Sequence, residues 1–311
     1  MNINTLKLFA VAAVLVGTTS CSSDDESRIP VTEAVEMSFV ADISATRATA
    51  TTFEAGDVAG IVPKKNGKVE TAQANIAYTC NGTAFAANPA YYFKDKEAVE
   101  FNAYYPYESN MADDYIIDID TRAANQTTTT INGHDWRKND YLATSATTDL
   151  RKPAVAFVGD KAFKHAMSSI VLKFKAGTAD GVANLKQLTG YTLGSLVVDG
   201  SFDCSTGKAT IDNSATAEAI TIGGISCAET ATEYTAEPLI VLPQSVEGGK
   251  CTLTIHYNSL DYTAILNLAT LAEGMRYEFT VTIKNTGMEM GGGEIVDWTE
   301  APTTTGDAVL Q

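Results

Sequence analysis

The chain has 311 residues, with 45% hydrophobic residues, 19% charged residues and a formal net charge of −16. This acidic balance argues against nucleic acids and anionic lipid surfaces as partners, because both bind through basic patches and the sequence has no run of Lys and Arg. The length is sufficient for two domains with well-buried cores.

The first segment has the features of a bacterial lipoprotein signal. Lys7 precedes an apolar run at residues 8–16, which is too short to span a bilayer and is followed by small residues before Cys21. We predict a signal peptide over residues 1–20 and acylation of Cys21, for example by palmitate, as the new N-terminus. A plain signal peptide with an incidental cysteine is the alternative. Residues 21–34 include an acidic, solvated tether, so the body would be attached to the membrane only through the lipid.

Residues 35–43 have the most regular strand pattern in the chain. The odd positions are apolar, whereas polar residues interrupt the even positions. One face of this strand is therefore expected to lie against a core. The apolar positions are Val35, Met37, Phe39, Ala41 and Ile43.

A small, polar segment with one basic residue, Arg47, follows this strand. Accessible protease sites have this composition. From the residues alone, however, an ordinary loop arginine is the simpler interpretation.

The rest of the chain keeps a period of two, with Gly, Asn and Pro between the apolar runs, and predicts an all-β fold. Asn66-Gly67 and Asn81-Gly82 predict tight hairpins. A strand beginning near residue 56 is expected to stop at Pro63, and residues 127–139 are expected to form a long polar loop. With a boundary near residue 159, about seven strands fall in each half, which predicts two β-sandwich domains at 35–158 and 159–311.

The aromatic residues around position 100 permit two interpretations. Alternation at residues 99–105 favours the packed core of a sandwich. The alternative is a carbohydrate-stacking platform formed by Tyr91, Tyr104 and Tyr107 on a monomeric surface lipoprotein.

The sequence contains no recognisable enzyme motif, and we predict neither catalysis nor a cofactor. It has no nucleophile elbow, Gly-rich phosphate loop or Ser-His-Asp order, and its three histidines are too scattered for a zinc site. His165 is interpreted as a structural histidine. Apart from Cys21, the cysteines are expected to be buried free thiols or to form one bridge, and three connectivities are possible. They are Cys80, Cys204, Cys227 and Cys251.

Short motifs along almost the whole chain resemble the fimbrillins, the type V pilus subunits of Bacteroidales. Each motif is weak alone, but their order and spacing match the family. The motifs are Thr46-Arg47-Ala48-Thr49 before Phe53-Glu54-Ala55-Gly56-Asp57, Phe101-Asn102-Ala103-Tyr104-Tyr105-Pro106, Asp140-Tyr141-Leu142-Ala143, Phe163-Lys164-His165, Ile240-Val241-Leu242-Pro243-Gln244 and Ile295-Val296-Asp297-Trp298.

The resemblance implies a fold, a location and a mode of assembly. It implies two tandem transthyretin-like domains and export as an outer-membrane lipoprotein to the cell surface. A trypsin-like protease would cut after Arg47, making Ala48 the new N-terminus and removing the first strand. The subunit would then join other pilus subunits by donor-strand exchange, for adhesion to a host or bacterial surface glycan or protein.

The cost of losing the first strand can be estimated from its large side chains. Burial of each stabilises by roughly 1.5–3 kcal/mol, so four of them leave a groove on the order of 6–12 kcal/mol short, which a neighbouring strand could fill. Ile295, Val296 and Trp298 are better donor candidates than Val309 and Leu310, because the tail poorly copies the replaced strand. With a weak donor, the chain would be a tip subunit or an uncut anchor.

Overall fold

Strands dominate the fold, as the period-two pattern predicts. The computed structural model describes residues 35–44, 52–131, 133–285, 287–291 and 294–297, which all belong to one compact unit. Within these residues every regular element longer than three residues is a strand, so the chain is all-β. None of the helices in this part of the chain has the length and apolar character needed to cross a membrane. The helical segments are short 3-10 turns at Thr71–Gln73, Ala123–Asn125, Gly159–Lys161, Thr178–Asp180 and Glu247–Gly249.

The strands are numbered in chain order. Those before residue 160 are β1 Val35–Glu36, β2 Ser38–Ala41, β3 Val58–Lys65, β4 Lys68–Val69, β5 Ile76–Cys80, β6 Phe85–Ala86, β7 Tyr92–Phe93, β8 Val99–Tyr105, β9 Ile116–Asp120, β10 Thr128–Ile131, β11 His134–Arg137, β12 Leu142–Thr148 and β13 Ala154–Phe157. Those after it are β14 Lys164–His165, β15 Ser168–Ala176, β16 Leu188–Leu196, β17 Asp199–Asp203, β18 Lys208–Ile211, β19 Glu218–Gly223, β20 Glu233–Thr235, β21 Leu239–Val241, β22 Gln244–Ser245, β23 Lys250–Tyr257, β24 Leu260–Asn267, β25 Thr270–Leu271, β26 Met275–Lys284, β27 Gly287–Met290 and β28 Glu294–Asp297.

The first half of the chain forms a nine-stranded sheet. The strand order is β13-β2-β6-β5-β3-β8-β12-β14, with β4 also on β3, and a separate pair joins β1 to β7. Of these pairings only β13 with β2 is parallel. The apolar faces of these strands bury one cluster that runs from Met37 to Phe163 and is rich in Phe and Tyr.

Two turns of this sheet follow their sequence signals, but one strand end does not. Asn66 and Gly67 have φ of 51° and 76°, as a two-residue hairpin requires, and a hairpin also joins β5 to β6 across Asn81-Gly82. The prediction that a strand stops at Pro63 was wrong, because β3 continues to Lys65. The Pro63 carbonyl accepts a hydrogen bond from Glu70 (2.9 Å), so its nitrogen also points away from β8 and no N–H is needed there.

The second half builds its core between two sheets. One contains β15 and β26 in the centre, with β20 and β21 on β15 and β27 and β28 on β26. The other has the order β19-β16-β23-β24. Both contribute to one apolar cluster, for example through Phe174 and Val281 of the first sheet and Leu193 and Leu253 of the second.

A third, smaller sheet joins strands from the two halves. Its order is β18-β17-β9, so β9 from before the predicted boundary pairs with β17 from after it. Arg122 extends this link through ion pairs with Asp199 (2.5 Å) and Glu218 (2.6 Å). A buried cluster that includes Tyr104, Phe202 and Leu242 lies beside it.

The prediction of a long polar loop at residues 127–139 was wrong. The segment forms an antiparallel hairpin of β10 and β11, with four register pairs from Thr128↔Arg137 to Ile131↔His134. β-branched threonines favour an extended backbone whether or not the strand faces a core, so the polar composition concealed a strand pair.

Candidate functional site

The first strand has the alternating burial that its sequence predicts. Met37, Phe39 and Ile43 are 0%, 1% and 4% exposed, whereas Val40 between them is 39% exposed. Val35 and Ala41 are half-buried at the margins of the same core. The segment therefore fills a groove chiefly through three large side chains.

Phe39 is the centre of this contact. Its ring stacks on Phe85 at 4.5 Å and meets Tyr78 and Phe157 at 5.2 Å each. Phe85 and Tyr78 belong to the sheet on one side of the strand, and Phe157 belongs to β13 on the other. Phe39 therefore bridges strands that do not pair with each other.

The backbone of the first strand changes sheets at Met37. β1 pairs antiparallel with β7, whereas β2 pairs in parallel with β13 over four positions and meets β6 only at Phe39↔Phe85. A further parallel bridge joins Ile43 to Phe163. The first strand therefore has a ladder of four backbone pairs with β13 but a single backbone pair with β6. On the β6 side it is held mainly by its buried side chains.

The Tyr78 hydroxyl lies beneath the change of sheet. It donates to the Met37 carbonyl at 3.2 Å and accepts from the Tyr91 N–H at 2.9 Å. Burial raises the pKa of the Tyr78 phenol to about 12. The Tyr78 hydroxyl therefore hydrogen-bonds to the strand in the groove at the position of Met37.

β13 depends on the first strand for its place in the sheet. It is an edge strand, and β2 is its only ladder partner among the described residues. Removal of residues 35–44 would leave β13 with two unpaired edges and would expose Phe157 and Phe85, which are now 0% and 1% exposed.

Two of the predicted C-terminal donor residues lie within the described part of the chain, and three lie outside it. Ile295 and Val296 lie in β28, where their backbones pair with Tyr277 and Arg276 of β26 in the chain's own sheet. Trp298, Val309 and Leu310 lie outside the described residues, as do Cys21, Arg47 and Ala48. The lipidation, cleavage and tail assignments therefore stay predictions.

The tyrosines of the alternative glycan platform do not form an exposed surface. Tyr91 and Tyr104 are 1% and 0% exposed, and Tyr107 is half-buried. Their hydroxyls are also occupied, since Tyr91 donates to Glu70 and Tyr104 donates to Asn75 at 2.6 Å. The core interpretation of these aromatics is confirmed.

The cysteines in the described part of the chain are all free thiols. Cys80, Cys204 and Cys251 are buried, and Cys227 is half-buried. Burial raises the pKa of the Cys251 thiol to about 12, and its sulfur donates to the Gly194 carbonyl at 2.7 Å. Such thiols are protonated at neutral pH and are poor nucleophiles.

A cavity that the sequence analysis missed lies where strands from both halves meet. It has a volume of about 320 Å³, and its lining includes Trp136, Ser169 and Arg276. His165 and Asp140 also line it, with His165 Nδ1 2.7 Å from Asp140 Oδ1 and both side chains buried. Asp140 is the partner of His165 that sequence spacing could not identify.

Comparison with known families places this architecture. The family model described as "Fimbrillin-like" matches residues 46–298, most of the chain. This chain belongs to the fimbrillin-like family. The match includes Arg47 and the described strands from β3 to β28. It therefore covers the groove of this fimbrillin-like chain but not the first strand at residues 35–43, which contains β1 and β2 and fills the groove.

Individual relatives of this fimbrillin-like chain are distant. It is 26% identical over 302 residues to "Putative fimbrium subunit Fim1C" of Bacteroides uniformis, with 90% of both chains covered. It is 28% identical over 117 residues to "Putative fimbrium tip subunit Fim1C" of Bacteroides ovatus, and the match spans only 22% of that protein.

A crystal structure described as a putative cell adhesion protein from Bacteroides ovatus is similar in fold. The TM-score is 0.67 and the identity 25%, over 86% of this chain and 98% of that one.

Proposed function

We propose that this chain is a structural subunit of a cell-surface pilus that assembles with other pilus subunits and serves adhesion. Family membership supports the class of protein, and the names of its relatives support the assembly. The observation that carries the proposal is the first strand, whose buried face fills a groove between β13 and the rest of the sheet.

The maturation pathway is part of the same proposal. Cys21 would be acylated and would anchor the precursor in the outer membrane at the cell surface. A trypsin-like protease would then cut after Arg47, which lies after the first strand and at the very start of the region that the family model matches. The order of these segments along the chain supports the pathway, since the anchor and the removable strand both precede the cut.

Loss of the first strand creates a need for a replacement. Burial of Met37, Phe39 and Ile43 stabilises the fold by roughly 1.5–3 kcal/mol each. Removal of the strand would therefore cost the subunit about 5–9 kcal/mol of stability. This is less than the 6–12 kcal/mol expected from four side chains, because Val35 is only half-buried. A strand of a neighbour could supply the burial and the pairing to β13, and head-to-tail contacts of this kind propagate as a fibre.

We also propose that the chain contains two transthyretin-like domains, at residues 35–158 and 159–311. Separate apolar clusters in the two halves support this division. The donor strand is proposed to come from the end of the second domain, near Ile295, Val296 and Trp298 or near Val309 and Leu310.

Controlled proteolysis tests the proposed maturation. The purified full chain is treated with trypsin, its new N-terminus is identified by mass spectrometry, and polymers are followed on unheated gels. We expect an N-terminus at Ala48 and a ladder of high-mass species. Arg47→Ala should abolish both, whereas Arg151→Ala, at an arginine whose side chain is 64% exposed, should preserve them.

A peptide competition tests the groove itself. A synthetic peptide of residues 35–44, added during proteolysis, should occupy the groove and block polymerisation. The same peptide with Phe39→Ala should block it poorly, because the lost ring contacts strands on both sides. Polymers that form equally with either peptide would contradict strand exchange at this groove. A chain recovered from cells uncut and acylated at Cys21 would indicate an anchor or a monomeric surface lipoprotein.

A further inference from the structure

The cavity where the two halves meet is lined by hydroxyl, guanidinium and carboxylate groups. Its inner wall is formed by adjacent strands, because Ser169 of β15 pairs with Ile240 of β21 on one side and with Arg276 of β26 on the other. Trp136 of the β10–β11 hairpin forms another part of the lining. A volume of about 320 Å³ lies at the lower end of the range for small-molecule pockets, roughly 300–1,000 Å³.

The Ser169 hydroxyl is the first indication of a ligand. Ser169 is 0% exposed, and its Oγ has no hydrogen-bond partner among the described residues. A buried hydroxyl without a partner destabilises a fold, and an alanine at this position would avoid that cost. Ser168 beside it differs, since its hydroxyl donates to the Ala272 carbonyl at 2.6 Å.

Arg276 is the second indication. Its Nε lies 2.8 Å from Oε1 of Glu278, in an ion-pair contact that does not meet hydrogen-bond geometry. Glu278 also pairs with Lys173, so one carboxylate is shared between two cations. Within the described part of the chain the Arg276 guanidinium makes no hydrogen bond, and this leaves donors for a carboxylate in the cavity.

The remaining charges of the cavity lining are paired or exposed. Asp140 is paired with His165, and Glu237 with Arg137. Asp135 is exposed, and its Oδ1 accepts from Thr130 at 3.2 Å. The exposed carboxylates of Asp135 and Glu237 can accept hydrogen bonds from ligand hydroxyls.

We propose that this cavity binds an acidic monosaccharide, a sugar that carries a carboxylate. Arg276 pairs with the carboxylate, Ser169 hydrogen-bonds to it or to a neighbouring hydroxyl, and the exposed carboxylates of Asp135 and Glu237 accept from the other hydroxyls. Trp136 contacts the apolar face of the ring, as aromatic side chains do in sugar sites. This binding belongs to the folded, uncut chain and is independent of polymerisation.

Isothermal titration calorimetry of the full chain separates the contributions of the ligand. Glucuronic acid carries both groups, glucose carries only hydroxyls, and acetate carries only the carboxylate. We expect glucuronic acid to bind at least about tenfold more tightly than either fragment, since the two kinds of contact add. Equal affinity for glucose or for acetate, or no binding of glucuronic acid at millimolar concentration, would overturn the proposal.

Variants connect the binding to the residues. Arg276→Gln should weaken glucuronic acid at least about tenfold by loss of a charge-assisted contact, and Ser169→Ala about fivefold by loss of one hydrogen bond. Arg276→Lys should have a smaller effect than Arg276→Gln, and Arg151→Gln should have none. Circular dichroism and the thermal midpoint check folding, and Ser169→Ala remains informative if Arg276→Gln does not fold. Unchanged affinity in folded Ser169→Ala and Arg276→Gln would disprove the site.

Discussion

The first strand and β26 show the same side-chain pattern with different backbone support. The first strand alternates buried residues with mostly exposed ones, and β26 alternates buried residues with half-buried ones. β26 pairs with β15 over eight positions from Ser169↔Arg276 to Ala176↔Ile283, and β27 and β28 cover its other edge. β2 pairs with β13 over four positions and with β6 at one.

This difference separates two sources of strand stability. Side-chain burial depends on the alternating pattern, whereas ladder pairing depends on the length and continuity of the neighbours. The first strand has many buried side chains and only one backbone pair with β6, which is consistent with the proposal that another strand of similar side chains replaces it. β26 is built into its sheet on both edges.

The largest expected effect on the free energy of unfolding comes from truncating one buried phenylalanine in each of the two strands. Phe39→Ala and Phe279→Ala should each lower the free energy of unfolding of the uncut chain by about 3–5 kcal/mol, because both rings are buried. After cleavage and removal of the first strand, only Phe279→Ala should still destabilise relative to the cleaved wild type. Urea unfolding of cut and uncut chains measures both values. A loss of less than about 1 kcal/mol for Phe39→Ala in the uncut chain would contradict the assignment of the groove.

Alkaline pH should lower the free energy of unfolding by almost as much as the truncation of one buried ring. Burial raises the pKa of Tyr78 from 10.0 to about 12, so the folded state holds this proton more tightly than the unfolded state. The stability is present below about pH 10 and is lost as the pH rises through 12, up to about 3 kcal/mol for this residue. Burial shifts the pKa values of Tyr91, Tyr104 and Tyr105 in the same direction. Urea unfolding at a series of pH values should show the loss, and the Tyr78→Phe variant should show a smaller one.

A smaller effect is expected from the hydroxyl of Tyr78 at neutral pH. Tyr78→Phe removes the bond to the Met37 carbonyl and leaves the Tyr91 N–H without its acceptor, so unfolding should become easier by about 1–2 kcal/mol. Tyr257→Phe is a control with one lost bond, to the Asn184 carbonyl, remote from the groove. Hydrogen exchange should show faster exchange around residues 37–41 only in Tyr78→Phe. Equal exchange there in both variants would argue against a local role.

The smallest effect is expected on the outer face of the first strand. Val40 is 39% exposed, so Val40→Thr keeps the β-branched shape and should change the free energy of unfolding by less than about 0.5 kcal/mol. The polymers formed after proteolysis should also be unchanged. A large loss of stability would show that Val40 is covered in solution.

Much of the fold could be predicted from local patterns. The alternation of Met37, Phe39 and Ile43 predicts the buried face of the first strand, and Asn66-Gly67 predicts the turn between β3 and β4, because each signal lies within a few residues. The hairpin at residues 127–139 was missed because its threonines are polar, although they are good strand formers.

The arrangement of distant residues could not be predicted from the sequence. The parallel pairing of β2 with β13 joins segments more than 100 positions apart, and no local signal encodes it. The same holds for the cavity, where Asp140, Ser169 and Arg276 come from separate elements. The histidine of the Phe163-Lys164-His165 motif has its partner in the Asp140 motif, which only the folded chain brings together.

The edge position of β13 sets a time limit on the open subunit. If the first strand is removed as we propose, β13 is attached to the sheet by no ladder among the described residues, and such a strand opens locally on a fast timescale. A cut subunit without a donor is therefore expected to be a short-lived species whose β13 exchanges with solvent. In the proposed assembly, polymer growth would then depend on the rate at which a donor arrives relative to the rate of this local opening, and the local concentration of subunits at the cell surface would be the controlling variable.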